Sequence, residues 1–110
     1  MTHKLSGMAE SREVYLDGHY LDPKPSQKYH NHSPDGFNWG YGGSGPAQLA
    51  LAIILKLTGK HDGYQDFKFK FIANLPQNTD FDVEFNFMEI MDEIWLKEYD
   101  FNRPKPEMHE

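Results

Sequence analysis

One segment constrains this chain more than any other. Residues 40–45 read Gly-Tyr-Gly-Gly-Ser-Gly, and from Ala47 to Leu57 only Gln48 and Lys56 are polar. A run of that length and composition is a helix buried nearly all round, with no wet face to offer solvent. The rest of the chain must therefore wrap it. Pro46 suits the first helical turn, where its missing N–H costs nothing. Thr58-Gly59 closes the helix with glycine just past its end. The pattern predicts a central helix over about 46–58.

The material to wrap it is present. The chain has 110 residues, enough for one domain, and 38% of them are hydrophobic. Residues 13–21 read as a hairpin, with Val14-Tyr15-Leu16 and His19-Tyr20-Leu21 flanking the turn dipeptide Asp17-Gly18. Residues 22–27, with Pro23 and Pro25, read as a connector. Residues 28–31 read as a short strand. Phe37-Asn38-Trp39 is another, entered through the β-turn Ser33-Pro34-Asp35-Gly36. Tyr64, Phe67, Phe71 and Leu75 have helical spacing and predict a second helix over 62–74. Residues 81–85 alternate apolar and acidic, the mark of a half-buried strand. Asn86 then caps a third helix, with Glu89 three residues on and Phe87, Ile90, Met91, Ile94 and Trp95 on its apolar face. The expectation is an α+β fold: a small, mainly antiparallel sheet, the N-terminal hairpin plus short strands, packed on about three helices. One domain is expected over 12–100, with flexible tails at 1–11 and 102–110.

Composition removes several functional classes. There is no cysteine, so neither disulfides nor thiolate metal sites arise. The first residues hold no apolar secretion segment, and the longest apolar run, 49–55, is too short to span a bilayer. A cytoplasmic protein without membrane contact is expected. The formal net charge is -6, and residues 80–110 carry ten Asp and Glu against three basic residues. Such a surface repels phosphate backbones, so direct nucleic-acid binding is not expected, whereas a basic protein partner is suited to it. The acidic residues that would meet that partner are Asp80, Asp82, Glu84, Asp92 and Glu93; a solvated acidic face is the plainer account of them.

The glycine segment satisfies G-x-G-x-x-G literally, after a strand signal and before a helix. A dinucleotide site also needs a βαβ unit with an acidic residue ending the second strand. Here Asp62 and Asp66 fall at that distance inside a helical pattern, and no Gly-Lys-Ser/Thr makes a P-loop. What survives is the general chemistry of a helix start, where free N–H groups and a partial positive charge suit an anion. The residues that would line such a site are Tyr41, Gly42, Gly43, Ser44, Gly45, Ala47 and Gln48, with His32 nearby. The competing account is that the glycines only make a tight turn and let the buried helix pack closely. Phe37 and Trp39 are assigned to the core, leaving Tyr41 as the aromatic without a core duty.

His30 and His32 would share a face of a strand and suit a metal or a proton-transfer pair. Without cysteine a metal needs further ligands, His19 among the candidates, and exposed histidines without a ligand are the simpler reading. Ser44 with His30 or His32 as base is a weaker, hydrolytic alternative. No catalytic residue, metal or cofactor is assigned.

The run Asn31-His32-Ser33-Pro34, Gly36-Phe37, then Trp39-Gly40-Tyr41-Gly42-Gly43-Ser44-Gly45-Pro46-Ala47-Gln48-Leu49-Ala50-Leu51-Ala52 resembles the core motif of an uncharacterised family of bacteria, plasmids and phages, domain of unknown function 6166. Tyr64-Gln65, Phe67-Lys68, Ile72-Ala73 and Leu75-Pro76 resemble its second block. The likeness runs over about residues 12–96, and the segment 79–87 departs from it. The resemblance implies a setting, small accessory proteins of mobile elements in a bacterial host, and no established activity. Such proteins include sponges for signalling nucleotides and inhibitors of host defence proteins. The function expected is therefore a non-enzymatic module that binds a phosphate-bearing or other anionic small molecule, a nucleotide among them, at the glycine turn. The alternative is an acidic interaction module or inhibitor acting through residues 80–100.

Overall fold

The structure, a computed structural model, describes residues 2–102. Among these, four strands form one sheet: β1 (Thr2–Gly7), β2 (Val14–Leu16), β3 (His19–Tyr20) and β4 (Phe81–Asn86), in the order β3-β2-β1-β4 and antiparallel throughout. Four helices accompany it: α1 (Lys24–Tyr29), α2 (Ser44–Thr58), α3 (Tyr64–Lys70) and α4 (Phe87–Asn102), with a 3-10 turn at Ile72–Asn74. This is the expected α+β class, with one helix more than the pattern announced.

Residues 2–7 are a central strand, which corrects the flexible tail expected over 1–11. The pattern hid it because Leu5 is the one large apolar residue of β1. Other segments fill its inward positions. The His3 ring lies 5.7 Å from that of Phe85 and edge-on to Phe87 at 6.5 Å. The Phe81 and Trp39 rings cover Gly7 so closely that a Cβ has no room there. Six register pairs, from Thr2↔Asn86 to Gly7↔Phe81, tie β1 to the far end of the chain. At the other terminus α4 extends through Asn102, and residues 103–110 of the expected tail lie outside the described residues.

The hairpin stands where Asp17-Gly18 placed it. Both residues have positive φ, 53° and 80°, as a type I′ turn requires. Asp17 adds a second function: its carboxylate accepts from the Lys4 amide at 2.9 Å and pairs with His3 Nδ1 at 2.7 Å. These hydrogen bonds, that of His3 foremost, hold the Asp17 carboxyl below the usual carboxylate range.

Three local expectations change. The strand expected over 28–31 and the connector before it are replaced by α1, because Pro23 and Pro25 sit at a helix start, where proline is tolerated. Phe37 and Trp39 are buried as expected, but their segment forms no strand and does not join the sheet. The helix over 62–74 is interrupted at Phe71, whose φ of -122° and ψ of -59° end α3 before the 3-10 turn.

The core lies between the sheet and α2. Every residue of α2 from Gly45 to Ile54 is buried. Leu5, Val14, Leu16, Phe81 and Phe85 close on it from the sheet, and Phe67, Ile72, Met91 and Ile94 from the later helices. The start of α4 is fixed by Asn86, whose side-chain oxygen accepts from the Glu89 amide at 3.0 Å. Asn86→Ala is expected to lower stability by about 1 kcal/mol in urea unfolding; an unchanged midpoint would show that β4 alone positions the helix.

Candidate functional site

The glycine turn is shaped by close approaches on both sides. Gly40 has a φ of 86°, and a Cβ there would overlap the backbone of Gln77. Gly45 lies against Asn38, again with no space for a Cβ, which lets α2 start directly behind the 37–39 segment. Gly42 is covered by Phe69 and Gly43 by Tyr41. Lys68, itself buried, donates from Nζ to the Gly42 carbonyl at 3.3 Å and lies 4.1 Å from the Phe69 ring centroid. Packing therefore accounts for the glycines without a ligand, and any site must rest on other groups.

Those groups are at the helix start. The helix opens at Ser44, two residues before Pro46, with Gly43 as an N-cap that supplies no side chain. The Ala47 amide donates to the Gly43 carbonyl at 3.1 Å, and Pro46 has no N–H. Among the described residues, the amides left without a partner in this first turn are those of Ser44 and Gly45.

Gln48 faces the other way and is fully buried. Its Oε1 accepts from the amides of His32 at 2.8 Å and Ser33 at 2.9 Å. Its Nε2 donates to Ser26 Oγ at 2.9 Å and to the His30 carbonyl at 3.1 Å. Both lone-pair sites and both protons are thus in use. Gln48 ties α1 and the 30–33 limb to the central helix, and Ala47 beside it is buried as well.

A cleft of about 470 Å³ opens in front of the turn. Its lining takes Tyr41, Ser44 and Gly45 from the turn, Asp35 and Asn38 from the segment before it, and Glu10 and Arg12 from the β1–β2 loop. Tyr41 is 37% exposed, and its hydroxyl accepts from Asn38 Nδ2 at 3.1 Å. Arg12 holds a φ of 67° and donates from Nε to the Ala9 carbonyl at 3.1 Å. A left-handed conformation in a residue with a side chain costs about 1–3 kcal/mol. Sequence reading assigned neither Arg12 nor Asn38 to a site. Arg12 stood at the expected boundary between tail and domain, and only the pairing of β1 with β2 brings it to the helix start.

His32 does not line this cleft. Its ring stacks on His30, with centroids 4.0 Å apart and planes 7° from parallel, and its Nε2 meets the Tyr64 hydroxyl at 2.7 Å. Burial, then the charges of His30 and Lys68, push the His32 pKa down. The unfolded chain therefore binds a proton that the native state refuses, so stability rises with pH between the native and the unfolded pKa. Unfolding free energy should fall as pH drops below about 6.5, and His32→Asn should flatten that slope. An unchanged slope would move the effect to another group. Among the described residues no group of three or more His, Cys, Asp or Glu could hold a metal, and Ser44 makes no hydrogen bond to a histidine.

The acidic candidates are divided. Asp80 accepts from the Ala9 amide at 2.6 Å and so braces the β1–β2 loop. Asp82 and Glu84 are exposed on β4, on the sheet face turned away from the core. Asp92 and Glu93 are exposed on α4, and Glu93 pairs with Lys70 at 2.5 Å, which holds its carboxyl below the usual range.

Fold and cleft define a small α+β domain with a polar cleft at the start of its central helix. The chain belongs to the DUF6166 family, a family of unknown function, whose model matches residues 5–96. The match spans β2, β3, β4 and the cleft, and takes in the last three residues of β1. No curated protein and no solved structure matches the chain. No helix among the described residues is long and apolar enough to cross a membrane.

Proposed function

We propose that this protein is a non-enzymatic binding module that takes a phosphate-bearing or other anionic small molecule in the cleft before α2. One observation carries the reading: Arg12, Ser44 and Gly45 line the same cleft, and the amides of Ser44 and Gly45 have no partner among the described residues. An arginine and a helix start are both suited to oxyanions, and together they give a charge and a direction. The anionic group sits on the Ser44 and Gly45 amides and the Ser44 hydroxyl. Tyr41 presents its ring and hydroxyl at the mouth. Glu10 and Asp35 disfavour a bare anion and accept hydrogen bonds from a ligand that also carries hydroxyl or amino groups, as a nucleotide does. Gln48, Ala47 and His32 support this site from behind and do not touch the ligand. The setting that goes with this reading is the cytoplasm of a bacterial host, in an accessory protein of a mobile element; the family resemblance supports it.

Titration with a nucleotide panel, followed through backbone amide shifts, tests the assignment. Saturable shifts are expected at Ser44, Gly45 and Tyr41. Shifts confined to other surfaces, or none with any member, would remove it.

A further inference from the structure

The sheet ends in an open edge at β4. Its strand neighbour is β1 on one side, and among the described residues the backbone of residues 81–84 has no hydrogen-bond partner beyond that pairing. Alternate residues of an edge strand turn their N–H and C=O groups outward, so the edge is a ready template for another strand. The two sides of this edge differ in chemistry. On the outer face stand Asp82 and Glu84, both exposed. On the inner face Val83 is half-buried, and the half-buried Phe71 packs against the strand with its ring 4.7 Å from that of Phe85. Between Asp80 and Glu93 the chain has no lysine or arginine. Lys4 lies across from Glu84 on β1, and Lys70 on α3 is held by Glu93.

We propose that β4 receives an extended basic segment of a partner protein as an added strand. This surface is independent of the anion cleft. Added strands take affinity from main-chain hydrogen bonds and specificity from alternate side chains. The segment therefore carries Lys or Arg at every second position, over Asp82 and Glu84, and apolar β-branched residues between them, over Val83 and Phe71. A second copy of this chain is disfavoured, because pairing β4 with itself sets carboxylates beside carboxylates.

The test uses the full chain and three short peptides. One alternates lysine and valine, one has the same composition in separate blocks, and one alternates but is N-methylated at every second residue on its hydrogen-bonding edge. At low salt the alternating peptide should bind at least about tenfold more tightly than either of the others, and should protect amides of residues 81–86 from hydrogen exchange. Asp82→Lys with Glu84→Lys should weaken it at least about tenfold. The N-methylated peptide leaves the protein unaltered, so the test stands even if that variant misfolds. Equal affinity for all three peptides, protection on β3 instead, or self-association of the protein through β4 would each overturn the proposal.

Discussion

Replacing Gln48 by methionine is expected to cost about 2–3 kcal/mol of unfolding free energy. Methionine matches the volume, so the loss comes from hydrogen bonding and not from a cavity. The Ser33 amide loses its partner, the His32 amide and the His30 carbonyl keep only their bond to each other at 3.1 Å, and the Ser26 hydroxyl keeps only the Pro23 carbonyl. A buried polar group left unpaired costs about 1–3 kcal/mol. Ser26 is buried, whereas His32 and Ser33 are half-buried and His30 is exposed, so water recovers part of the sum. Domains of this size are stable by about 5–15 kcal/mol, so the variant gives up a substantial share of its stability. Urea unfolding measures the loss directly. The variant should also lose the pH slope assigned to His32, because the limb that holds His32 against Tyr64 is released. A cost under about 1 kcal/mol would mean that α1 and the limb are held by something other than Gln48.

Arg12→Gly is expected to separate stability from binding. Glycine takes a positive φ without strain, so the substitution relieves about 1 kcal/mol or more at this position. It gives up the exposed bond from Arg12 to the Ala9 carbonyl, worth about 0.5–1.5 kcal/mol. The net change in stability is therefore near zero or slightly favourable. Anion binding loses a charge-assisted hydrogen bond of about 1.5–3 kcal/mol, or about 10–150-fold in affinity. A residue present only for packing would not show this pair of outcomes. A clear loss of stability in Arg12→Gly would assign Arg12 a structural duty instead.

What could be read in advance divides along the range of the interactions. The central helix was legible because its run from Ala47 to Leu57 is apolar almost without a break. The Asp17-Gly18 turn and the Asn86 cap were legible because each acts within a few residues. Strand β1 was not, since the rings that fill its inward positions belong to Trp39, Phe81 and Phe85. Helix α1 was concealed by prolines that usually mark a connector. Gln48 stood out as the polar residue at a helix start, but its partners lie 15 to 22 residues earlier, beyond any local pattern. The cleft is the extreme case, because residues 10–12, 35–38 and 41–45 meet only once β1 has found its place.

The most direct test of the anion-binding reading is calorimetric titration of the wild type and Arg12→Gly with inorganic phosphate and a panel of nucleotides, with a thermal melt of each protein. The reading predicts saturable binding of at least one phosphate-bearing ligand by the wild type, and binding at least about tenfold weaker by a variant that melts no lower. Failure of every ligand to bind the wild type, or unchanged affinity in Arg12→Gly, would contradict it.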